Sequence, residues 1–256
     1  MSKEVRKAMI LAAGLGRRLQ PATLNKPKAL IEIKGVPLLQ IVIERLKAFG
    51  IREIIINVHH HAGQIMDFVR KQNRFGLHIA FSVEEHLLDT GGGLKKARWF
   101  FEDCDRFLLH NVDILTDMDY GLLFRRLEST AALAALAVRR RKTTRYLLFD
   151  GQMRLVGWQN KKTGQLKVVR RIFPAFHPFA FSGIQALRSA IFDYLPEEDV
   201  FSMIDVYLSL AYRSLPVTGV ITDAYRWLDV GKPQSLTQAE TLFSDFWHSD
   251  AHHESS

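Results

Sequence analysis

The sequence predicts an α/β fold in which a doubly wound, mostly parallel but mixed sheet carries helices on both faces in a Rossmann-like arrangement. Two observations support this prediction. Short runs rich in branched apolar residues, such as Ile54-Ile55-Ile56, alternate along the chain with longer segments of helical periodicity. Continuous apolar runs are typical of strands buried on both faces, and such strands occur in parallel sheets covered by helices.

The first half of the chain contains the most regular elements. Residues 7–12 are a predicted buried strand. Pro37 and Gly50 bracket the next periodic apolar segment, and we predict a helix between them because proline favours the first helical position and glycine follows the last. The other elements predicted in this half are strands at 53–58, 77–83 and 107–111 and helices at 61–74 and 92–101.

The second half is less regular. Asp150-Gly151 separates two short runs, which predicts a hairpin of strands at 145–149 and 154–158 with a tight turn. Residues 131–138 are alanine-rich and would be helical by propensity alone. The other elements predicted here are helices near 120–128, 185–193, 200–212 and 233–243 and strands at 179–184, 217–222 and 227–230.

Length and composition are those of a globular protein. With 256 residues, of which 47% are hydrophobic, the chain can bury a substantial core, and no linker-like segment divides it. We therefore expect one domain over residues 1–245 and a frayed polar tail over 246–256. The longest apolar runs are too short to span a bilayer and no signal-peptide core precedes the first strand, so no membrane partner is expected. Because Cys104 is the single cysteine, we expect a reducing, cytoplasmic location.

The chain has a formal net charge of +8, which favours anionic partners such as nucleotides, sugar phosphates or nucleic acids. Its densest basic run is Arg139-Arg140-Arg141-Lys142. We interpret this run as a solvated strand end and loop, with a phosphate or nucleic-acid contact as the alternative. Because no helix-turn-helix or zinc-finger pattern occurs, we expect no nucleic-acid partner.

The first predicted strand runs directly into a loop that combines glycine with arginine. Gly14 and Gly16 let backbone N–H groups approach an anion, and Arg18 and Lys28 add positive charge that the backbone cannot supply. Open α/β sheets bind ligands at the carboxyl ends of their strands, where this loop lies. The sequence therefore predicts a nucleoside triphosphate site. A dinucleotide fingerprint does not fit because Leu19 replaces its third glycine, and a P-loop does not fit because no Gly-Lys-Ser/Thr follows.

Several motifs together resemble those of the sugar-1-phosphate nucleotidyltransferases. The motifs are Leu11-Ala12-Ala13-Gly14-Leu15-Gly16-Arg17-Arg18, Lys26-Pro27-Lys28-Ala29-Leu30, Thr90-Gly91-Gly92-Gly93, Asn111-Val112-Asp113, Phe181-Ser182-Gly183-Ile184 and Trp227-Leu228-Asp229-Val230-Gly231. The resemblance covers residues 7–243 and is closest to the short bacterial enzymes of the N-acetylmuramate-1-phosphate uridylyltransferase and mannose-1-phosphate guanylyltransferase type. It implies that residues 131–138 form a strand, and we adopt this as the prediction.

The resemblance also implies a role for each matching residue. Arg18 and Lys28 are expected to be catalytic, with Arg18 on the leaving pyrophosphate and Lys28 on the α-phosphate and the incoming sugar phosphate. Asp113 and Asp229 are expected to hold Mg²⁺ jointly. The residues expected to bind the nucleotide are Leu11, Ala12, Ala13, Gly14, Gly16, Arg17, Glu84, Thr90, Gly91 and Gly92, the last three in a predicted loop. The residues expected to bind the sugar are Asn111, Asn160, Lys161 and Gly183.

The chain departs from the family pattern at two points. Val112 stands where most relatives have glycine, which we interpret as a change of pocket shape that leaves the carboxylate of Asp113 in place. Gln159-Asn160 stands where the family often has a glutamate–lysine pair, so the identity of the sugar stays open. His59-His60-His61 is like a metal-ligand cluster, but three consecutive side chains cannot reach one ion without a strained turn. We interpret these histidines as a polar loop.

The expected activity is Mg²⁺-dependent transfer of a nucleotidyl group from an NTP to a sugar 1-phosphate, which gives an NDP-sugar and pyrophosphate. UTP with an N-acetylmuramate-like sugar 1-phosphate is favoured, followed by GTP with mannose or heptose 1-phosphate. Cytidylyl transfer to choline phosphate and a non-catalytic, nucleotide-sugar-binding regulatory protein are the alternatives. We expect a monomer or a small homo-oligomer.

Overall fold

A computed structural model describes residues 7–169 and 175–244, and the predicted tail over 246–256 lies outside them. The helices are α1 (Leu38–Phe49), α2 (Ala62–Lys71), α3 (Asp89–Lys96), α4 (Gly121–Thr130), α5 (Met203–Tyr212) and α6 (Pro233–Leu242). The strands are β1 (Lys7–Leu11), β2 (Glu32–Ile33), β3 (Val36–Pro37), β4 (Glu53–Val58), β5 (His78–Val83), β6 (Arg106–Asn111), β7 (Ile114–Thr116), β8 (Ala134–Arg139), β9 (Arg145–Phe149), β10 (Leu155–Asn160), β11 (Gln165–Val168), β12 (His177–Arg188), β13 (Val217–Ile221) and β14 (Trp227–Asp229). No helix in these two ranges is long and apolar enough to cross a lipid bilayer.

One ten-stranded sheet organises the fold. Its main path runs β11-β10-β9-β12-β6-β1-β4-β5, and β8 and β13 branch from β12. The strand β1 pairs in parallel with β4 and β6, and β4 pairs in parallel with β5. The long strand β12 pairs antiparallel with β6, β8 and β9. The predicted α/β fold with a mixed sheet is confirmed, and its parallel half is formed by the N-terminal strands.

Side chains along the parallel strands alternate between two cores. Ile10, Ile54 and Ile56 belong to the core covered by α1, α2 and α4, whereas Met9 and Ile55 belong to the core covered by α3 and α5. Successive side chains of a strand lie on opposite faces, so each buried strand contributes to both cores. The sheet therefore carries helices on both faces, as the sequence predicts.

A smaller third core lies beside the main sheet. It joins α6 to the β2–β3 hairpin and to the antiparallel β7–β14 pair through Ile33, Leu115, Val230, Ala239 and the fully buried Phe243. Packing of α6 thereby holds β14 against β7 and fixes the position of the residues at the ends of both strands.

The alanine-rich segment is a strand, as the resemblance implies and against its helical propensity. Most of it forms β8, which lies between β12 and β13. Ala135 and Ala137 belong to one core, and Leu136 and Val138 belong to the other. Burial on two faces outweighs intrinsic propensity at this position.

Two features of the C-terminal half differ from the prediction. The predicted helix near 185–193 is wrong, because residues 185–188 continue β12 and a 3₁₀ turn over Ser189–Tyr194 follows. Ala186 packs into one core and Leu187 into the other, an alternation that a strand provides. The strand β11 is not among the predicted elements: Leu166 and Val168 do alternate with polar residues, but the run is only four residues long and all four are exposed.

Candidate functional site

A cavity of about 610 Å³ opens at the carboxyl ends of β1, β4 and β6. This is the side of an open α/β sheet on which ligands bind. The sequence-predicted site residues that line it are Leu11, Ala12, Ala13, Gly14, Gly16, Arg17, Arg18, Lys28, Glu84, Thr90, Asn111 and Asp113. The fold therefore gathers residues from five separate stretches of sequence around one space.

The loop after β1 is compact and irregular. Gly16 adopts φ +63°, and a Cβ at this position would lie 3.0 Å from Thr23 Cγ2 and 3.1 Å from Lys28 Cβ. The Thr23 hydroxyl donates a hydrogen bond to the Gly16 carbonyl at 2.9 Å. Glycine therefore lets the loop fold closely over Lys28, and Arg17 and Arg18 stay exposed beside the cavity.

Lys28 and two aspartates form the charged centre of the site. The Lys28 side chain is buried, and its ammonium forms an ion pair with the Asp113 carboxylate. Asp113 immediately precedes β7, and the antiparallel β7–β14 pair places Ile114 opposite Asp229. The Asp113 carbonyl also accepts a hydrogen bond from Val230 N at 2.8 Å. These backbone contacts bring together two carboxylates that are far apart in the sequence.

Asp229 has a buried oxygen that the described chain does not satisfy. Its Oδ1 atom makes no hydrogen bond to any described residue. Burial, followed by repulsion from Asp113, raises the pKa of the Asp229 carboxyl, although Lys28, Arg18 and Arg141 oppose the shift. A buried carboxylate oxygen without a hydrogen-bond donor is unfavourable, and a bound cation would remove that cost.

The two aspartates fit a hard divalent cation. A Cβ on Gly231 would lie 2.7 Å from both Asp229 Oδ1 and Arg18 Nη2, so the ends of both side chains lie beside this glycine. In the part of the chain that the structure describes, no three His, Cys, Asp or Glu side chains are grouped to hold a metal ion. Two carboxylates completed by ligand and water oxygens are the arrangement that Mg²⁺ usually adopts, and Asp113 with Asp229 supplies that pair.

Asn57, which sequence reasoning missed, pairs with the predicted site residue Glu84 and orders the start of the loop. Asn57 Oδ1 accepts a hydrogen bond from Ala12 N at 2.8 Å, and Asn57 Nδ2 donates to Glu84 Oε1 at 2.7 Å. The second Glu84 oxygen accepts from Leu88 N at 3.2 Å. Glu84 thus acts within the protein, holding Asn57 so that Asn57 can hold Ala12. In the sequence, the one indication of this arrangement is the polar Asn57 within the apolar run that follows Glu53 in β4.

The triple-glycine segment lies within α3, which begins at Asp89, so the predicted loop is wrong at Thr90 and Gly91 and the helix starts three residues before its predicted start at Gly92. The N–H groups of Gly91 and Gly92 both donate to the Phe201 carbonyl, at 2.9 and 3.3 Å. A Cβ on Gly92 would overlap the carbonyl oxygen of Asp199. These glycines therefore allow a helix to pack directly on a neighbouring backbone. Thr90 lines the cavity, whereas Gly91 and Gly92 are buried against this backbone.

The predicted sugar-binding residues lie in two places. Gly183 has φ +78° and adjoins Asn111, since a Cβ on Gly183 would lie 3.0 Å from Asn111 Nδ2. Asn160 ends β10, and its side chain accepts a 3.0 Å hydrogen bond from the backbone of the following turn. The exposed Lys161 has its ammonium 4.9 Å from the ring centre of Tyr146. Asn160 and Lys161 are not among the described residues that line the cavity.

The basic run is divided between surface and interior. Arg140 is exposed and pairs with Asp223 at 2.9 Å, as expected for a solvated strand end. Arg139 and Arg141 are half-buried, and their guanidinium carbons lie 5.4 and 4.6 Å from the Trp227 ring centre. The interpretation as a solvated end is therefore wrong for Arg139 and Arg141.

Two of the three consecutive histidines contact loop backbone near the site. His59 Nδ1 lies 2.8 Å from the Glu84 carbonyl oxygen, and His61 Nε2 lies 3.3 Å from the Leu24 carbonyl oxygen. These contacts agree with the predicted polar loop.

One protein family and several known proteins match this chain. Residues 7–245 match the family described as Nucleotidyl transferase. The UTP–glucose-1-phosphate uridylyltransferase of Synechocystis sp. is 31% identical over 245 residues, which cover 91% of this chain and 62% of that protein. The N-acetylmuramate alpha-1-phosphate uridylyltransferase of Neisseria meningitidis is 40% identical over 119 residues, 46% of this chain and 51% of that protein. The matches span less than two thirds of the length of either relative.

A solved structure shares the fold. The inositol-1-phosphate CTP transferase of T. maritima has a TM-score of 0.76 to this chain at 17% identity. The superposition covers 96% of this chain and 97% of that one. The likeness thus extends over almost the whole of both chains.

Proposed function

The chain belongs to the nucleotidyl transferase family, and we propose that it transfers a nucleotidyl group from a nucleoside triphosphate to a sugar 1-phosphate. An oxygen of the sugar phosphate attacks the α-phosphorus in line, the bond to pyrophosphate breaks, and the products are an NDP-sugar and pyrophosphate. Because this reaction needs little covalent help, the protein's task is to position two anions and to neutralise their charge.

The observation that carries this proposal is the charged centre beside the cavity. Lys28, Asp113 and Asp229 meet there, and Arg17 and Arg18 lie in the adjoining loop. Three cations next to two carboxylates suit a strongly anionic ligand that brings a divalent cation with it. A nucleoside triphosphate is such a ligand, and the cavity has the volume of a small-molecule site.

Arg18 and Lys28 would act on different phosphates. Arg18 is exposed in the loop, so it is available to the pyrophosphate as that group departs. Lys28 is buried in its ion pair with Asp113, so it is placed deeper, for the α-phosphate and the attacking sugar phosphate. Charged hydrogen-bond donors that are already in position stabilise developing negative charge without reorganisation.

The nucleoside and the sugar would occupy neighbouring parts of the site. We place the nucleoside along Ala12 to Gly14 and beside Thr90, since these residues line the cavity and Asn57 holds the start of the segment at Ala12. We place the sugar against Asn111 and Gly183, which adjoin each other next to the charged centre.

Asp113 and Asp229 would hold Mg²⁺. The unsatisfied buried oxygen of Asp229 and the nearby carboxylate of Asp113 support this assignment. When bound, Mg²⁺ would supply positive charge to the phosphate oxygens. Lys28 would then hold Asp113 in place through their ion pair.

For the substrates we propose UTP and an N-acetylmuramate-like sugar 1-phosphate. The names of the Neisseria and Synechocystis relatives both describe uridylyltransferases, which supports UTP. The name of the Neisseria relative, which matches 46% of this chain, also supports N-acetylmuramate 1-phosphate as the acceptor. GTP with mannose 1-phosphate or heptose 1-phosphate is the second substrate pair that we propose.

Pyrophosphate release tests the proposed function. The protein with Mg²⁺ is assayed with UTP, GTP, CTP, dTTP and ATP, each crossed with N-acetylmuramate, glucose, mannose and heptose 1-phosphates and with choline phosphate. We expect one dominant pair, and we expect it to contain UTP. Nucleotide binding without pyrophosphate release from any pair would contradict the proposal and favour a regulatory, nucleotide-sugar-binding protein.

We expect Asn57→Ala to weaken both the fold and nucleotide binding. The change leaves a buried Glu84 oxygen and Ala12 N without their partner, which costs about 1–3 kcal/mol of the free energy of unfolding. We expect the Kd for UTP to rise about tenfold, which is ~1.4 kcal/mol and is comparable to the loss of one good hydrogen bond. Urea unfolding and calorimetric titration measure the two effects.

The control is Gln72→Ala, which removes an exposed amide at the end of α2. It should leave the free energy of unfolding within ~0.5 kcal/mol and UTP binding unchanged. If Asn57→Ala lowers stability but leaves the Kd for UTP unchanged, the Asn57–Glu84 pair does not order the nucleotide site.

A further inference from the structure

Arg141 lies just beyond β8 on a platform made by Trp227 and the backbone of β12. Its guanidinium carbon is 4.6 Å from the Trp227 ring centre, and its Nη2 donates to the Phe181 carbonyl at 3.3 Å. Trp227 Nε1 in turn donates to the Ser182 carbonyl at 2.9 Å. The plane and position of this guanidinium are therefore fixed from two sides.

The Arg141 guanidinium has hydrogen-bonding capacity that the described chain does not use. Its Nε is buried and has no hydrogen-bond partner among the described residues, which also place no carboxylate within ion-pair distance of it. Its neighbour Arg140 is instead paired with Asp223. Burial lowers the pKa of Arg141, and attraction by Asp229 is the strongest opposing effect. Arg141 is thus a half-buried cation, and its pKa responds to the charge of one of the two site aspartates.

The platform adjoins the place assigned above to the sugar. Gly183 directly follows Ser182, and a Cβ on Gly183 would lie 2.8 Å from Ile114 Cγ1 and 3.0 Å from Asn111 Nδ2. Asn111 lines the cavity beside Asp113. Arg141 therefore lies on the β12 side of the charged centre, outside the described residues that line the cavity, whereas Arg17, Arg18 and Lys28 line it from the N-terminal loop.

Lys161 is connected to Arg141 through one side chain. The Lys161 ammonium lies over the Tyr146 ring, and the Tyr146 hydroxyl donates to the Arg141 carbonyl at 3.3 Å. The charge of Arg141 acts to lower the pKa of Asp229, whereas the Lys161 ammonium lies over Tyr146. Of these two cations, Arg141 is the one placed to meet a ligand held next to Asp229.

We propose that Arg141, held on Trp227, binds the phosphate of the acceptor substrate. This inference rests on the proposed function, in which two anions must meet beside the same pair of aspartates. A planar guanidinium can donate two parallel hydrogen bonds to a phosphate, and stacking on an aromatic ring fixes its orientation. Arg17 and Arg18 then serve the triphosphate, Lys28 lies between the α-phosphate and the attacking phosphate, and Arg141 adds a contact to the acceptor phosphate alone.

Separate binding measurements on the two substrates test this assignment. N-acetylmuramate 1-phosphate and UTP, each with Mg²⁺, are titrated calorimetrically into the wild-type chain and into Arg141→Gln, Arg141→Lys and Arg140→Gln. We expect Arg141→Gln to raise the Kd for N-acetylmuramate 1-phosphate about 10- to 100-fold, because a charge-assisted contact is lost. The Kd for UTP should change less than about threefold. Arg141→Lys keeps the charge without the planar fork and should lie between wild type and Arg141→Gln.

Arg140→Gln is the matched control, because it removes the neighbouring arginine from its surface pair with Asp223. It should change neither Kd. Equal weakening of both ligands by Arg141→Gln, or no weakening of the sugar phosphate, would overturn the assignment, as would failure of the wild-type chain to bind the sugar phosphate. If binding changes as expected but no substrate pair releases pyrophosphate, the proposed function fails and the binding role of Arg141 stands. Thermal melting of each variant shows that the fold is retained.

Discussion

Asp229→Asn is expected to abolish activity while it stabilises the metal-free protein. Loss of the carboxylate charge removes one of the two proposed Mg²⁺ ligands, and we expect pyrophosphate release to fall about 1000-fold, equivalent to ~4 kcal/mol of transition-state stabilisation. In the metal-free chain the same carboxylate is buried, unsatisfied at Oδ1 and repelled by Asp113. Removing that charge should raise the melting temperature by about 2–4 °C, the shift that ~1 kcal/mol produces in a chain of this size. Melting is measured in EDTA and turnover with Mg²⁺.

The pH dependence of this stability difference has a defined sign. Burial and the charge of Asp113 raise the pKa of Asp229 in the folded state above its unfolded value. The wild type therefore binds this proton more tightly when folded, and it loses that stability as the pH rises from about 4 through the raised pKa. We expect the melting advantage of Asp229→Asn to be smallest at about pH 4 and to reach its full size above the raised pKa.

Asp67→Asn is the control for Asp229→Asn. Asp67 lies on the exposed face of α2, where it pairs with Arg70 three residues later. Its removal should leave turnover unchanged and stability within ~0.5 kcal/mol, since exposed pairs of this kind contribute little. Turnover of Asp229→Asn within tenfold of wild type would rule out the assignment of Asp229 as a metal ligand. If Asp229→Asn melts at a lower temperature than wild type in EDTA, the Asp229 carboxylate stabilises the metal-free fold.

Gly92→Ala is expected to cause the largest loss of stability among single-methyl additions in this region. The new Cβ would overlap the Asp199 carbonyl oxygen and lie 2.9 Å from Leu88 Cβ. Because the obstacle is backbone and not a flexible side chain, α3 must move away from the chain at Asp199 and Phe201. We expect a loss of about 3 kcal/mol, at the upper end for overpacking, and a fall in melting temperature of about 6–12 °C.

The effect of Gly92→Ala should also reach the ligand site. Thr90 and Val200 line the cavity from the two sides of this contact, and Thr90 Oγ1 accepts a hydrogen bond from Met203 N at 3.0 Å. Separation of the two segments should therefore weaken UTP binding as well as the fold. Urea unfolding and calorimetric titration with UTP measure both changes.

Gly63→Ala is the matched control for Gly92→Ala. Gly63 lies near the start of α2, is exposed, and a Cβ there would meet no atom within 4 Å. Alanine at a helical position should stabilise the chain by about 0.5–1 kcal/mol relative to glycine. If Gly92→Ala melts within about 2 °C of wild type, the close contact between α3 and the Asp199 backbone does not constrain the fold.

Local patterns in the sequence were sufficient for the elements whose cause is local. The helix between Pro37 and Gly50 and the strand over 53–58 depend on capping residues and on runs of apolar side chains, and both have the predicted bounds within a residue. The hairpin around Asp150-Gly151 depends on turn chemistry and is also confirmed. Since each of these causes acts within a few residues, each can be identified in the sequence.

Elements whose cause is distant were predicted poorly. The strand β12 continues through Arg188 because its residues pair with β6 and β8, neither of which adjoins it in the sequence. The glycines of α3 are explained by the chain near Phe201, about a hundred residues later. No property of these segments by themselves indicates the contact that shapes them.

The sequence by itself determined the fold class, the family and the residues that could take part in the chemistry. Apolar periodicity is local and indicates the fold class, and the resemblance of local motifs to those of a known family indicates the family and these residues. Only the tertiary structure decided which of these residues meet. The β7–β14 pairing places Asp229 beside Asp113, and Trp227 brings Arg141 towards the same centre. These contacts depend on strand register and on packing between distant segments, and no single stretch of sequence encodes either of them.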